Sequence, residues 1–210
     1  MNNTDDRARY TGEGELRLME KPDWITYDQI HELLYTAHGS NRDSGFDVET
    51  AHMSGKELEE HMGKDGVMFV ALDGDRLIGC GGYRVMKRNY WCAKGNVVSA
   101  VLFGVHPDYK GHHLSVLLYN KVLEDAKAKG YQYLEIRTAE DNVIVQNGCI
   151  KEGFRYVGFL ASEADHYTVA LLYWLNGCPY PKWRTNLHYR LRKAVTKLRY
   201  KKGRKKRFGV

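Results

Sequence analysis

The sequence lacks any long apolar segment. No apolar run in the 210 residues approaches the roughly 18 that a membrane-spanning helix needs. The first stretch, MNNTDDRARYTGEGE, is polar and has no apolar segment after a basic start, so a signal peptide is not expected. We therefore expect a cytoplasmic protein, and association with the inner membrane surface stays open.

Close cysteine pairs are also missing. The four cysteines stand far apart in the chain, at Cys80, Cys92, Cys149 and Cys178. This spacing indicates neither a metal knuckle nor a redox motif, and reduced thiols are the default in the cytoplasm. The four histidines from His31 to His61 do not fall at zinc-ligand spacing with cysteine or carboxylate partners. We therefore expect no metal site.

Acidic residues are missing from the C-terminal segment. From Pro181 onward the chain has 13 Lys/Arg and no Asp or Glu, which leaves 19 basic and 26 acidic residues for the rest. The body is therefore acidic and the segment strongly basic. The length supports one buried core, so we expect a flexible N-terminus at 1–14, one domain at 15–180 and a basic tail at 181–210.

The first half of the chain alternates short strands and helices. ELRLME predicts a strand, and PDWITYDQIHELLYTAH predicts a helix with Pro22 near its start. SNRDSGFDVETAHM has no periodicity and is expected to be a loop. Ser54 and Glu57 form a capping box at the start of a further helix. VMFVALDGDRLIGCGGYRVM predicts a hairpin, because Asp-Gly supplies the positive backbone dihedrals of a tight turn.

The second half predicts a strand, a crossover helix and a parallel strand. These are NVVSAVLFGV, LSVLLYNKVLEDAKAKG ending at Gly130, and YQYLEIRT. A helix in DNVIVQNGCIKEGF stopped by Gly153 follows, and then two antiparallel strands, RYVGFLA and HYTVALLYWL. The predicted fold class is α/β, with a single mixed, mostly antiparallel sheet, a central parallel βαβ unit and helices on both faces.

The loop DYKGHHLS opens the crossover helix directly after a buried strand. The start of a helix exposes unpaired amides and the positive end of the helix dipole, and both attract phosphate. Lys110 adds a positive charge, Gly111 allows the turn, and Ser115 adds a hydroxyl. The alternative is an ordinary strand-to-helix turn with a lysine at the surface.

Several separated residues around this loop follow one known pattern. They are Val105, Pro107, Lys110, Leu114, Asn142, Gly153 and Phe154. With them, the stretch Val97–Gly158 resembles the acetyl-CoA-binding core of the GNAT superfamily of N-acetyltransferases. The resemblance implies the GNAT-like acyl-CoA N-acyltransferase fold, with acetyl-CoA as the acyl donor. Three positions depart from the pattern: Lys110 stands for Arg or Gln, His113 for Gly, and Ser115 for Gly or Ala.

The resemblance also implies which residues bind acetyl-CoA. The pantetheine arm would lie along Phe103, Gly104 and Val105, where Gly104 would ease its close approach. Asn142 would bond the arm, and it could equally cap the helix that follows. The pyrophosphate would bind the loop and the first helical turn, at Lys110, Gly111, His112, His113, Leu114 and Ser115. Phosphate needs amides more than glycines, so at His113 we expect an ordinary helical backbone with the side chain pointing outward.

Two residues are candidates for proton transfer in the implied reaction. Cys149 stands where the family often has a tyrosine, the presumed acid for the leaving thiolate, or it is a small buried residue in a helix. Glu135 is a candidate general base on the strand beside the cofactor, or a surface carboxylate. Water relays would also serve as the base.

The basic tail has apolar residues at helical spacing. They are Trp183, Leu187, Leu191, Ala194, Val195 and Leu198. Residues 182–207 could form an interfacial helix on an anionic membrane, contact nucleic acid or the ribosome, or pack on the domain's own acidic surface. The sequence leaves these three alternatives open.

The function expected from these features is transfer of an acetyl group from acetyl-CoA to a primary amine. The amine would attack the thioester directly, and a small amine or amino sugar is favoured over a protein amine. The alternative is a catalytically silent GNAT-like module that binds nucleic acid, the ribosome or an anionic membrane through its tail. A homodimer is compatible with the sequence.

Overall fold

A computed structural model describes residues 15–39, 48–161 and 167–208, with side chains up to residue 200. The strands within these ranges are β1 (Leu16–Glu20), β2 (Val67–Asp73), β3 (Arg76–Tyr90), β4 (Ala93–Val105), β5 (Tyr133–Ala139), β6 (Arg155–Ala161) and β7 (Tyr167–Trp174). The helices are α1 (Tyr27–Ala37), α2 (Gly55–Met62), α3 (Leu114–Ala128), α4 (Val143–Lys151) and α5 (Lys182–Phe208). Short 3-10 turns lie at Glu49–Ala51 and Pro107–Tyr109.

The described strands form one mixed sheet. Their order is β1-β2-β3-β4-β5-β7-β6. β4 and β5 pair in parallel at Val98–Leu134 and Ser99–Glu135, joined by the crossover helix α3. The pairs β1–β2, β2–β3, β5–β7 and β6–β7 are antiparallel. The predicted fold class is confirmed.

Capping residues fix where the first two helices begin. The Thr26 side chain accepts a hydrogen bond from the amide of Gln29 at 3.3 Å, and the Gln29 side chain accepts one from the amide of Thr26 at 2.8 Å. The prediction of Pro22 near the helix start is therefore wrong, because Pro22 lies in a turn before this cap, where its carbonyl accepts from the amide of Ile25. The predicted Ser54–Glu57 capping box is confirmed at α2.

The β2–β3 hairpin also follows its sequence signal. Asp73 pairs with Arg76 across a turn in which Gly74 has φ of 60°, in the left-handed region that glycine adopts readily. Part of the predicted loop after α1, residues 40–47, and the predicted flexible N-terminus, residues 1–14, lie outside the described residues.

The chain divides into two compact units. Unit 1 comprises the residues up to Val85 together with Ala100–Lys129, and unit 2 comprises Met86–Ser99 together with the residues from Gly130 onward. The core of unit 1 is formed by apolar side chains of α1, α2, β2, β3 and β4 and includes Ile30, Leu34, Leu58, Val70 and Leu102. The predicted boundaries at 15–180 and 181–210 stay a prediction.

Unit 2 has a separate core. It joins aromatic and aliphatic side chains of β3, β4, β6 and β7, and it includes Tyr90, Val97, Val157, Leu172 and Trp174. Both units therefore bury apolar surface of their own, which is the main source of folding stability.

Candidate functional site

A pocket of about 310 Å³ opens in unit 1. It is lined by the end of α1, the end of β4, the loop after β4 and the first turn of α3: Ala37, His38, Phe103, Gly104, Val105, Tyr109, Lys110, Gly111, His113, Leu114 and Ser115. Eight of the ten residues predicted to hold acetyl-CoA thus line one pocket. Of the other two, His112 is in the loop but outside this lining, and Asn142 belongs to unit 2.

The start of α3 presents hydrogen-bond donors to this pocket. In the described part of the chain, the amides of Gly111, His113, Leu114 and Ser115 have no hydrogen-bond partner. Such amides, at the positive end of a helix dipole, form a site for an anion. Lys110 is exposed at the same pocket and adds a full positive charge. The donor set therefore fits a phosphate group.

His113 adopts the backbone conformation of a glycine. It is the N-cap of α3, with φ of 59° and ψ of 15° in the left-handed region. The expectation of an ordinary helical backbone there is wrong, although the side chain is exposed as expected. Histidine is one of the non-glycine residues enriched in this region, so it can keep the geometry of the loop at a cost in strain.

Contacts with the β2–β3 hairpin hold the loop in place. The Tyr109 hydroxyl donates to an Asp73 carboxylate oxygen at 2.7 Å. The Arg76 guanidinium forms an ion pair with Asp108 at 3.3 Å and lies over the Tyr109 ring, 5.5 Å from its centroid. The loop therefore enters α3 in a fixed position. The sequence analysis missed Tyr109, because its partners stand more than 30 residues away and no local pattern marks them.

The end of β4 is shaped by backbone features and by α1. Leu102 has φ of 57°, an uncommon conformation for a buried leucine. At Gly104 a side chain would crowd α1, because its Cβ would lie 2.9 Å from Leu34 Cδ2 and 3.3 Å from Ala37 Cβ. The close packing of α1 thus explains why a glycine stands at position 104, an explanation that the sequence alone did not provide. His38, which the sequence analysis also missed, contacts the Phe103 carbonyl with its Nε2 at 3.1 Å.

Asn142 caps a helix in unit 2. Its side-chain oxygen accepts a hydrogen bond from the amide of Val145 at 3.2 Å, at the start of α4. This is the capping role left open by the sequence, and its bond to the cofactor arm stays a prediction.

Glu135 lies in a buried charge cluster of unit 2. Its side chain is fully buried and forms ion pairs with Arg88 and Arg137, both at 3.1 Å, and it accepts a hydrogen bond from the Tyr90 hydroxyl. Burial alone would raise the pKa of Glu135, but the Tyr90 hydrogen bond and the charges of Arg137 and Arg88 outweigh burial and lower it. Burial and the neighbouring carboxylate raise the pKa of Tyr90 to about 12. Glu135 is therefore an ionised carboxylate with several partners.

Cys149 is a buried thiol on α4. Burial raises its pKa to about 11, so it is protonated at neutral pH. Cys149 and Glu135 both belong to unit 2, and their catalytic roles stay predictions.

Comparison with known proteins gives the family. The model of the acetyltransferase (GNAT) family matches residues 27–147, more than half of the chain. No curated protein matches. Similar solved structures include an N-acetyltransferase from Staphylococcus aureus Mu50, with 13% identity, coverage of 78% of this chain and 100% of that chain, and a TM-score of 0.57.

Two further solved structures show the same fold. The ribosomal-protein-S18-alanine N-acetyltransferase from Escherichia coli has 11% identity, coverage of 77% of this chain and 94% of that chain, and a TM-score of 0.57. An aminoglycoside 6'-N-acetyltransferase complexed with coenzyme A has 14% identity, coverage of 79% and 99%, and a TM-score of 0.54. The fold, the pocket and the family match agree: the chain belongs to the GNAT acetyltransferase family and is an acyltransferase.

Proposed function

We propose that the protein transfers an acetyl group from acetyl-CoA to a primary amine. The observation that carries this proposal is the group of unpaired amides at Gly111, His113, Leu114 and Ser115, which face a pocket together with Lys110. Amides and a cation are what a pyrophosphate needs. The similar structure complexed with coenzyme A supports the same class of ligand.

The pocket divides into two parts in this proposal. The loop and the first turn of α3 hold the pyrophosphate. The main-chain groups of Phe103, Gly104 and Val105 at the end of β4 contact the pantetheine arm, as an added strand would. Asn142 is the predicted additional partner of the arm.

The transfer requires two proton movements, one away from the amine and one onto the leaving thiolate. The amine nitrogen, after losing a proton, bonds to the carbonyl carbon of the thioester; the C–S bond then breaks, and the leaving thiolate takes up a proton. Cys149 is protonated at neutral pH, the form that a proton donor requires. Glu135 is ionised, the form that a base requires, but its lowered pKa makes it a weak proton acceptor. The raised pKa of Cys149 likewise makes it a weak proton donor, so both catalytic roles stay predictions of equal standing.

The acceptor we propose is a small amine or amino sugar. Residues before Pro181 carry 26 acidic and 19 basic side chains, an acidic excess that favours a cationic acceptor, while the basic residues from Pro181 onward bring the whole chain to +6. The rival acceptor is a protein amine. A catalytically silent module is the remaining alternative, and a measurement of turnover separates it from an enzyme.

Release of free CoA thiol from acetyl-CoA, measured with a panel of amines, tests the proposal. We expect turnover with at least one small amine, and strong loss of turnover in Lys110→Glu, because its new charge repels phosphate. The matched control is Lys127→Glu, the same charge change at an exposed lysine near the other end of α3. Absence of turnover with every amine and every peptide N-terminus would overturn the proposal.

A further inference from the structure

The inner face of α5 is fixed by contacts with other residues of unit 2. The ring of Tyr189 stacks on Tyr156 with centroids 4.5 Å apart, and the ring of His188 stacks on Trp91 at 4.6 Å. Thr185 is fully buried. These contacts fix the orientation of α5 about its own axis.

Ion pairs hold the same orientation further along the helix. The ammonium groups of Lys193 and Lys197 lie 2.6 Å and 2.9 Å from Glu140 Oε1. Both lysines also lie over the ring of Phe159, at 5.5 Å and 5.6 Å from its centroid. These two half-buried lysines are therefore paired with residues of unit 2.

The outer face of α5 is apolar apart from the exposed Arg184. It carries five large side chains with 46% to 67% of their surface exposed: Trp183, Leu187, Leu191, Val195 and Leu198. At about 100° per residue they fall within an arc of about 120°, on the side opposite Thr185 and Tyr189. A contiguous apolar row of this kind on an exposed surface marks a binding surface. We call these five residues the outer apolar row.

Positive charge accompanies the row along the whole segment. Arg190, Arg192 and Arg199 are exposed on α5. The sequence from Pro181 onward has 13 Lys/Arg and no acidic residue. Apolar side chains flanked by cations are the pattern of a helix that lies in the plane of a membrane surface. The apolar side chains of such a helix enter the boundary between headgroups and acyl chains, and its cations contact the anionic headgroups.

We propose that α5 docks the protein on an anionic lipid surface through the outer apolar row. Charge complementarity selects this occupant over a second copy of the chain, because two such helices would bring like charges together. A nucleic acid would engage the cations but leave the apolar row in water. No helix among the described residues has the length and apolar character to cross a bilayer, so the proposed contact is peripheral.

Vesicle flotation of the full chain tests this proposal, which does not depend on the proposed acetyl transfer. Vesicles of phosphatidylcholine mixed with phosphatidylglycerol are compared with vesicles of phosphatidylcholine alone. We expect binding to the mixed vesicles only, and a loss of at least about tenfold in Leu187→Asn/Leu191→Asn, because burial of two leucines on the membrane is lost. Both side chains are more than half exposed, so this variant is expected to fold, and circular dichroism checks it.

A matched control and a reporter sharpen the result. Ile144→Asn makes the same kind of change at an 87% exposed residue outside α5, and it should bind vesicles as the parent does. Tryptophan emission should shift to the blue on binding, and this shift should be lost in Trp183→Phe. Equal binding by parent and Leu187→Asn/Leu191→Asn would overturn the proposal. Formation of a dimer, or salt-dependent binding of RNA, without binding to vesicles would also overturn the proposal.

Discussion

His113 offers a test of how the loop at the start of α3 is built. Its left-handed backbone costs about 1.5 kcal/mol for a residue with a Cβ. Glycine removes this strain but loses about 0.7 kcal/mol through the greater freedom of the unfolded chain. Because the His113 side chain is exposed, little contact energy is lost. We expect His113→Gly to stabilise the protein by about 0.8 kcal/mol, a rise in Tm of about 2–3 °C.

Two other variants separate backbone strain from side-chain contacts. His113→Ala keeps the Cβ and should bring no gain. Gly111→Ala, at a residue with φ of 89° and no atom within 4 Å of the added Cβ, should destabilise by about 1 kcal/mol through strain alone. The assay is urea unfolding followed by circular dichroism and tryptophan fluorescence.

The comparison of His113→Gly with His113→Ala decides the argument. Equal destabilisation in both would refute it, because the histidine side chain would then contribute more than its backbone strain removes. Acetyl-CoA binding measured on His113→Gly should be unchanged, since the amide of residue 113 remains.

Three further predictions concern packing, charge and thiols. Gly104→Ala should destabilise by about 1–3 kcal/mol in thermal unfolding, because its Cβ meets α1, whereas Gly148→Ala, at a helical site with nothing within 4 Å, should stabilise slightly. Glu135→Gln should destabilise by about 3 kcal/mol at neutral pH, because two arginines lose their partner. Because the pKa of Glu135 is lowered in the folded state, its ionised form stabilises the fold fully above about pH 4.5, and this contribution is lost as the pH falls through the folded-state pKa. The free energy of unfolding of Glu135→Gln should therefore fall less steeply with decreasing pH in the acid range than that of the parent. Half-buried Cys178 should be alkylated by iodoacetamide at pH 8 before buried Cys149, as peptide mass spectrometry would show; the reverse order would contradict the burial and raised pKa of Cys149.

Local signals in the sequence were sufficient for most elements. The Ser54–Glu57 capping box, the Asp-Gly turn and the stop at Gly153 each act within a few residues, so they can be recognised without the fold. The anion site in the loop was predicted for a similar reason, since the loop and the helix start are contiguous, whereas the end of β4 was assigned through the resemblance to the GNAT superfamily. The contact of His38 with the Phe103 carbonyl joins residues 65 positions apart, and no local sequence pattern predicts it.

The orientation of α5 shows a different limit of sequence analysis. The apolar spacing predicts a helix correctly but does not say which side faces the protein. In the structure, aromatic stacking of Tyr189 on Tyr156 and the pairing of Lys193 with Glu140 turn the polar and aromatic side inward. Which face packs depends on rings and charges of β6 and of the segment before α4, and these meet α5 only in the folded chain.

Calorimetric titration of the protein with acetyl-CoA tests the binding site at the start of α3. We predict micromolar binding that is lost in Lys110→Glu and kept in Lys127→Glu, with CoA itself as a second ligand for comparison. Absence of binding at millimolar acetyl-CoA, or equal binding by the two variants, would contradict the assignment of the unpaired amides and Lys110 to the pyrophosphate.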